Sequence, residues 1–223
     1  MSKKKIYAVL GLGIFGSTVA KTLSEFNFDV IALDKEITNV DRVSEFVSEA
    51  VTADFTDIEQ LRAIGIGDCD VAIVATGSRL EESIMAIMNL RELGVPYILA
   101  KAKNKTYREI LLKIGADKVV RPEKEMGERV AKQLLSQNVV DMIDIDDAYS
   151  IVEMYAPSKW HRKTLLELDL RKNYGINVLG IRKAQGARLS ISPGPDYVIE
   201  ETDQLLVIAE TSVFEKHEYL GKL

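Results

Sequence analysis

The sequence predicts an α/β protein with two domains, a doubly wound parallel sheet over residues 1–137 and a small α+β domain over 138–223. Three observations lead to this fold class. Short apolar runs alternate with segments of helical periodicity through the first part of the chain. A GxGxxG turn, Gly11 to Gly16, follows the first apolar run, and the alternation ends near Asn138. Strands that alternate with helices form parallel sheets, because each helix returns the chain to the same edge.

The first predicted strand, residues 6–10, leads directly into the glycine turn. Residues 17–26 then have apolar side chains at helical spacing, so the glycines lie between a strand and a helix. In such a turn Gly11 allows the sharp bend, Gly13 lets the backbone approach a pyrophosphate, and Gly16 lets the helix pack closely on the strand. The helix N-terminus offers free N–H groups and a partial positive charge to phosphates.

The second predicted strand, residues 30–33, ends at Asp34. Asp34 falls about 20 residues beyond the glycines, where a dinucleotide-binding fold places the acid that binds the ribose hydroxyls. The alternative is an acid that merely opens the next loop. A carboxylate at this point repels a 2′-phosphate, so the sequence favours NAD or an adenine nucleotide over NADP.

The other elements of the first domain follow in order. Strands are predicted at 50–53, 70–75, 97–100 and 118–120, and helices at 57–64, 80–93, 105–114 and 123–137. Gly94 and Gly115 follow two of these helices, as glycine does at helix C-termini. Pro122 precedes the last helix, since proline fits the first helical turn. We expect a short helical linker to the second domain.

The second domain has the pattern of a small domain of mixed type, with both strands and a helix. Two strands are predicted within 139–155 around Asp146 and Asp147, and further strands at 178–182, 190–192 and 204–209. A helix is expected over 164–174, capped by Gly175, and Pro193 to Pro195 form a loop.

Composition excludes several classes of protein. The chain has 223 residues, a net charge of −5 and one cysteine, Cys69, so no disulfide framework is possible. It has no apolar stretch near the ~20 residues of a membrane span, and its start lacks the pattern of a signal peptide. It has no basic stripe that would suit nucleic acid. We expect a cytoplasmic protein that does not bind nucleic acid.

The second domain lacks the groups that a dehydrogenase needs. His161 and His217 are its histidines, and neither lies in a recognisable motif. Tyr155 and Lys159 have the YxxxK spacing of short-chain dehydrogenases, but Pro157 lies between them and would cost ~3 kcal/mol in a helix. No cluster has metal-site spacing, and no GxSxG is present. We therefore expect the nucleotide to act as a signal, in a protein that is not an enzyme. The alternatives are a small NAD-dependent oxidoreductase and a redox-sensing DNA-binding repressor.

A series of motifs resembles one known family. The motifs are GLGIFG at 11–16, ALDKE at 32–36, ADFTD at 53–57, VATG at 74–77, KIGADKVVRPEKEMG at 113–127, SIVEM at 150–154 and LDLRKNYGINVLGIRK at 168–183. They resemble the RCK or KTN family, the cytosolic gating subunits of bacterial Trk and Ktr potassium uptake systems.

The resemblance implies a nucleotide-binding RCK domain followed by a TrkA-C domain. Each domain of the family dimerises, and many members form octameric rings. The ring docks on the cytoplasmic face of a potassium-transporting membrane protein, and bound ATP, ADP or NAD(H) opens or closes the pore. In Ktr-type members the second domain can bind cyclic di-AMP.

The resemblance also implies which residues of this chain form the nucleotide site. Gly11, Gly13 and Gly16 would hold phosphates, with Ile14 and Phe15 in the same turn. Asp34 and Lys35 would lie at the ribose, and Asp54 and Phe55 at the adenine. The remaining implied residues are Ala75, Thr76, Gly77, Lys101 and Lys103, the two lysines facing phosphate.

Two further sites are implied in the same way. Glu123 matches an acid that holds a divalent cation near the γ-phosphate in some members, although an acid in the first turn also stabilises a helix by ~0.3–1 kcal/mol. Arg171 and Asn177 are the polar candidates for cyclic di-AMP, with Leu165, Ile176 and Pro193 as apolar lining. The alternative for Arg171 is a pair with Asp169 or with solvent.

This chain departs from the family at one position. ATP-sensing members have an arginine in GLGRFG where this chain has Ile14. Because isoleucine offers no donor to a γ-phosphate, we expect ATP and ADP to be distinguished poorly.

Overall fold

The structure is a computed structural model that describes residues 4–77, 79–134 and 138–217. Packing divides the chain into two compact units, Met1–Lys124 and Glu125–Leu223. The predicted domain boundary between residues 137 and 138 lies later in the chain and stays a prediction. None of the helices in the described ranges is long and apolar enough to cross a membrane.

The first unit contains the predicted parallel sheet. Its strands are β1 (Ile6–Leu10), β2 (Asp29–Asp34), β3 (Glu49–Thr52), β4 (Val71–Val74), β5 (Tyr97–Lys101) and β6 (Lys118–Val120). They lie in the order β3-β2-β1-β4-β5-β6, and every neighbouring pair is parallel. This order places a switch point between β1 and β4, where successive connections run in opposite directions. The predicted doubly wound fold is confirmed.

Six helices accompany these strands. They are α1 (Ile14–Glu25), α2 (Ile37–Ser44), α3 (Ile58–Ile64), α4 (Leu80–Glu92), α5 (Lys105–Ile114) and α6 (Pro122–Gln133). Helix α3 begins one residue after its predicted start, because Asp57 is its N-cap and its side chain accepts a hydrogen bond from the Glu59 N–H at 2.9 Å. Helix α6 begins in the first unit and continues into the second. Residues 135–137, which we predicted to continue it, lie outside the described residues.

Two predictions for these helices need correction. Helix α1 begins at Ile14 rather than residue 17, because Gly13 is already its N-cap. Helix α2 was not predicted at all. Its sequence is mostly polar, and only Val40 and Val43 of its eight residues are buried. Two apolar side chains three residues apart give a weak periodicity, although they are enough to attach a short helix to a sheet.

Alternate side chains of the strands point to two separate cores. Ala8 and Leu10 of β1 pack with α3, α4 and α5, whereas Val9 packs with α1 and α2. On the second face, helices leave part of the sheet uncovered. The uncovered part forms a cavity of 680 Å³, which we call the apolar groove. The groove is lined by Lys5, Tyr7, Val19, Leu23, Asp70, Val71, Ile73, Pro96, Tyr97 and Leu99.

The second unit is an antiparallel sheet with short helices, which confirms the predicted α+β class. Its strands are β7 (Val139–Asp144), β8 (Tyr149–Tyr155), β9 (Asn177–Arg182), β10 (Ser190–Ile191) and β11 (Gln204–Glu210). They lie in the order β10-β9-β11-β8-β7. Trp160 and Phe214 are fully buried in the core of this unit.

The helix predicted over 164–174 is two helices, α7 (Leu165–Leu168) and α8 (Leu170–Tyr174). They are separated by Asp169, which has a left-handed φ of 39°. Leu168 and Leu170 are both buried, and residues two positions apart face almost opposite sides of a continuous helix. The break lets both side chains enter the same core. A further helix, α9 (Thr211–Lys216), was not predicted.

Candidate functional site

A cavity of 400 Å³ lies at the carboxyl ends of the strands of the first unit. Open α/β sheets bind ligands at this edge, at the switch point in strand order. The lining residues are Gly11, Gly13, Asp34, Lys35, Glu36, Phe55, Ala75, Thr76, Gly77, Arg79, Glu82 and Lys101. All of them except Glu36, Arg79 and Glu82 belong to the set named from the sequence.

The three glycines of the turn differ in whether the fold requires them. Gly11 has φ +93°, a conformation that residues with a side chain rarely adopt. A Cβ atom on Gly16 would lie 1.9 Å from the Gly11 carbonyl oxygen, so α1 packs on the turn at a distance that only glycine allows. Gly13 has φ −63°, and a Cβ atom there would meet nothing within 4 Å. The backbone of this chain therefore does not itself require a glycine at 13.

Asp34 is buried at the end of β2 and is held by the backbone. Its Oδ2 atom accepts a hydrogen bond from the Leu12 N–H at 2.6 Å, and its Oδ1 atom accepts one from the Glu36 N–H at 2.9 Å. A carboxylate has about four acceptor positions, so capacity for ribose hydroxyls remains. The two backbone bonds fix the carboxylate against the glycine turn.

Charged side chains form a cluster beside Asp34. The Nζ atom of Lys35 lies 3.2 Å from Glu82 Oε1 and 3.3 Å from Asp54 Oδ1. Burial opposes the charged form of Lys35, but its hydrogen bonds to Glu82 and Asp54 outweigh this and raise the pKa of the ammonium. Burial likewise tends to raise the pKa of Asp54, and hydrogen bonds from Thr56 and Lys35 lower it overall. Both groups are therefore charged near neutral pH.

Sequence reasoning missed three lining residues, Glu36, Arg79 and Glu82. A usable signal was present for each. Glu36 lies two residues after Asp34, and Arg79 and Glu82 follow the end of β4 at a spacing of three residues. Arg79 Nη1 donates to Glu82 Oε1 at 3.0 Å. Residues three apart on a helix are neighbours, so this pair could be expected.

Lys101 is a third cation of the cavity lining, besides Lys35 and Arg79. Its Nζ atom lies 2.5 Å from Glu123 Oε1, in the first turn of α6, and 5.9 Å from the centre of the Phe15 ring. Lys103, which we also predicted to face phosphate, lies over the Tyr107 ring at 4.7 Å and does not line the cavity. Its predicted role stays a prediction.

Five other predicted residues surround the cavity without lining it: Ile14, Phe15, Gly16, Asp54 and Glu123. Ile14 is 90% exposed at the start of α1. Their predicted roles stay predictions. Within the described ranges, no group of three or more His, Cys, Asp or Glu side chains is arranged to hold a metal ion. A cation at Glu123 would therefore take its remaining ligands from water and nucleotide phosphates, as Mg²⁺ commonly does.

A second cavity, of 580 Å³, lies in the second unit. It is lined by Leu165, Leu166, Asp169, Leu170, Arg171, Ile176, Asn177, Val178, Pro193 and Pro195. All five residues named for cyclic di-AMP are among them. Asp169 lines the same cavity as Arg171, but the described part of the chain contains no ion pair between the two.

The histidine His161, the YxxxK pair Tyr155 and Lys159, and the cysteine Cys69 are characterised by their contacts. His161 Nε2 lies 2.9 Å from the Ala156 carbonyl oxygen, and neither residue lines a cavity described above. Tyr155 ends β8, and Lys159 lies in the short turn after Pro157, so the two do not share a helix. Burial, together with Asp68 and Asp70, raises the pKa of the Cys69 thiol to about 11. A protonated buried thiol is a poor nucleophile.

Comparison with known proteins agrees with the geometry. Residues 7–122 match the TrkA-N domain family, and residues 149–218 match the TrkA-C domain family. The chain is 40% identical to Ktr system potassium uptake protein C of Bacillus subtilis, over 96% of this chain and 97% of that protein. It is 35% identical to Ktr system potassium uptake protein A of the same organism, over 98% of both chains.

The fold is shared with a solved channel structure. The GsuK channel bound to NAD has a TM-score of 0.65 and 18% identity, covering 98% of this chain and 40% of the channel chain. The relatives are potassium uptake proteins, and the comparisons give no support to an oxidoreductase. With both domains matched in order and full-length relatives above 30% identity, this chain belongs to the Ktr and TrkA family of potassium uptake proteins.

Proposed function

We propose that this chain is a nucleotide-sensing regulatory subunit that controls potassium uptake through a Trk- or Ktr-type membrane protein, and that it has no catalytic activity. It would act in the cytoplasm, at the inner face of the membrane, through that partner. Its ligand would be NAD(H) or an adenine nucleotide, bound in the cavity at the carboxyl ends of the strands.

The conformation of Gly13 is the observation that best supports the nucleotide site. Gly11 and Gly16 are explained by the fold, but Gly13 has an ordinary φ and open space around its Cα atom. A glycine that the fold does not need is explained by a ligand that approaches the backbone. The free N–H groups of the first turn of α1, next to Gly13, have no side-chain cap and suit a pyrophosphate.

Gly13→Ala tests this proposal. The variant should fold with the stability of the natural protein and should bind ADP and NAD at least tenfold more weakly in calorimetry. Gly127→Ala, in the exposed helix α6, is the matched control and should leave binding unchanged. Equal ADP and NAD affinities for Gly13→Ala and the natural protein would overturn the proposed site. Mass spectrometry of the nucleotide released from freshly purified protein then identifies the physiological ligand.

The absence of catalysis has its own test. The protein with bound NADH is mixed with small aldehydes, ketones and hydroxy acids, and absorbance at 340 nm is followed. We expect no substrate-dependent hydride exchange. Turnover that Gly13→Ala abolishes would favour the oxidoreductase instead.

Assembly of several copies is the second part of the proposal. Met126, Val130 and Leu134 are spaced four residues apart along α6 and its last turn, and all three are exposed. Such a stripe is what a helix presents to a partner. The apolar groove on the first unit is open. We assign the stripe of one copy to the groove of a second copy, within a tetramer or octamer.

Light scattering tests the assembly. The natural chain should have a mass of several times 24.9 kDa at micromolar concentration. A Met126→Glu, Val130→Glu double variant should have a lower mass, whereas Phe26→Glu, which changes an exposed residue elsewhere, should not. A stable monomer of the natural chain would contradict the proposed oligomer.

Cyclic di-AMP is the proposed ligand of the second cavity. A two-fold interface would bring one Arg171 from each copy to a ligand that is itself two-fold. In calorimetry with the full chain, Arg171→Ala should lose binding. Lys172→Ala removes the same charge next to it, outside the cavity lining, and should retain binding. An unaffected Arg171→Ala, or no binding by the natural protein at high micromolar ligand, would exclude this assignment.

A further inference from the structure

Two cations beside the candidate ribose site share one carboxylate oxygen. Lys35 Nζ lies 3.2 Å from Glu82 Oε1, and Arg79 Nη1 lies 3.0 Å from the same atom. The Glu82 side chain is only 19% exposed, whereas that of Arg79 is 73% exposed. The exposed arginine is thus paired with a carboxylate that is itself largely enclosed.

The position of this pair matters because Lys35 directly follows Asp34. In the dinucleotide-binding fold the acid at Asp34 receives the ribose hydroxyls, and an arginine nearby is what accommodates a 2′-phosphate. Lys35 and Arg79 both line the cavity and have the charge for that task. Lys35 is also paired with Asp54 at 3.3 Å, so it stays partly held even without Glu82.

The charges around Lys35, beside the candidate ribose site, add up against a phosphate. Asp34, Glu36, Asp54 and Glu82 contribute four negative charges, and Lys35 and Arg79 contribute two positive ones, which leaves −2. Removing the charge of Glu82 would leave −1 and would release Arg79. A single side chain therefore controls both the net charge and the freedom of the cation suited to a 2′-phosphate.

We propose that Glu82 is a specificity-determining residue, which excludes 2′-phosphorylated nucleotides by holding Arg79 and Lys35. The inference rests on the proposed nucleotide site and adds to it. It assigns the choice between NAD-type and NADP-type ligands to Glu82 on α4 as well as to Asp34 on β2.

Calorimetry with two ligand pairs tests this role. NAD and NADP differ only by the 2′-phosphate, as do AMP and adenosine 2′,5′-bisphosphate. The natural protein should prefer the member without the 2′-phosphate by at least tenfold. Glu82→Gln should bind the 2′-phosphorylated member at least fivefold more tightly, with less than a twofold change for the other member.

Two further variants separate a local effect from a general change in charge. Glu81→Gln removes the same charge from the same turn of α4, at an exposed residue outside the cavity lining, and should leave the ratio unchanged. Adding Arg79→Gln to Glu82→Gln should cancel most of the gain. The gain should also shrink as salt increases, since it depends on a partly exposed cation.

The outcomes separate this inference from the proposed function. Suppose that the natural protein binds ADP, AMP or NAD. If Glu82→Gln then leaves the preference against the 2′-phosphate unchanged, or if Glu81→Gln changes it equally, the role of Glu82 is contradicted and the nucleotide site is not. A natural protein that binds none of these nucleotides contradicts the nucleotide site and the role of Glu82 together.

Discussion

The Nζ atom of Lys101 lies 2.5 Å from the Oε1 atom of Glu123, and this ion pair joins the end of β5 to the first turn of α6. The hydrogen bond from Lys101 holds the pKa of the Glu123 carboxyl below its ordinary value. Lys101 also lines the cavity at the carboxyl ends of the strands. In the proposed nucleotide site, a phosphate that binds Lys101 would compete with Glu123 for the same ammonium group. Nucleotide binding would then be linked to the start of α6.

Replacing Glu123 should therefore strengthen nucleotide binding when divalent cations are absent. The Glu123 side chain is 68% exposed. Ion pairs at exposed sites are worth ~0.2–1 kcal/mol, so Glu123→Gln should raise the affinity for ADP up to about fivefold. A second titration, with ATP in the presence and absence of magnesium, examines the cation predicted at Glu123. Magnesium should raise the ATP affinity of the natural protein and not that of Glu123→Gln. A weaker or unchanged ADP affinity in Glu123→Gln without magnesium would contradict the competition.

The two lysines named for phosphate should behave differently. Lys101 lines the cavity, and a hydrogen bond to a charged group contributes ~1.5–3 kcal/mol, so Lys101→Met should weaken ADP binding about 10- to 100-fold. Lys103 lies over Tyr107, so Lys103→Met should change the affinity less than twofold. Calorimetry measures the ADP affinity of both variants. Similar losses of affinity in the two would show that the cavity of the single chain is not the phosphate site.

Ile14 should set the discrimination between ATP and ADP. Its side chain is 90% exposed at the start of α1, so an arginine fits there without repacking. Ile14→Arg should raise ATP affinity about 10- to 100-fold over ADP, because a charge-assisted bond to the γ-phosphate becomes possible. The natural protein should bind the two within tenfold. A natural preference for ATP beyond tenfold would mean that Ile14 is not the determinant.

Two glycines on helices should respond to alanine in opposite directions. A Cβ atom on Gly16 would lie 1.9 Å from the Gly11 carbonyl oxygen, so Gly16→Ala must displace the glycine turn and lower the free energy of unfolding. A Cβ atom on Gly127 would meet nothing within 4 Å, and Gly127→Ala should stabilise by ~0.5–1 kcal/mol. Urea denaturation measures both. A tolerated Gly16→Ala would mean that α1 and the turn do not pack as described.

A pair between partly buried Tyr197 and buried Asp203 in the second unit should make stability depend on pH at the alkaline end. Tyr197 Oη donates to Asp203 Oδ2 at 2.9 Å, and burial together with that carboxylate raises the pKa of Tyr197 to about 12. The folded state thus prefers the protonated phenol. Its contribution to stability is complete below about pH 10 and is lost as the pH rises toward about 12.

Tyr197→Phe tests this pair. It leaves the Asp203 carboxylate, which is fully buried, without one donor and should cost about 1–3 kcal/mol at neutral pH in urea denaturation. The absorbance change at 295 nm near pH 12 should disappear in the variant. A titration curve unaltered near pH 12 would contradict the raised pKa.

Much of this protein follows from local sequence. Helix α5 and strand β6 have the predicted bounds, because each combines a clear apolar period with a glycine or proline at its end. The glycine turn and Asp34 were identified for a similar reason. Both are recognised from short spacings along the chain, because a strand-to-helix turn that approaches a pyrophosphate needs glycines at fixed positions.

Other features depend on contacts between distant residues. Glu82 meets Lys35 across 47 positions of sequence, and Lys101 meets Glu123 only because β5 and α6 end and begin at the same edge. The break at Asp169 depends on a core that accepts both Leu168 and Leu170. Lys101 and Lys103 have the same charge at nearby positions, yet only Lys101 lines the cavity.

The sequence by itself determined the alternation of elements, the glycine turn and the acid that follows it, because these depend on periodicity and backbone conformation within a few residues. Only the tertiary structure decided the strand order, the pairing of charges around the cavity and the two-helix break, because these depend on which residues packing brings together. A short-range pattern specifies which side chains are available at an edge of the sheet. The fold specifies which of them meet.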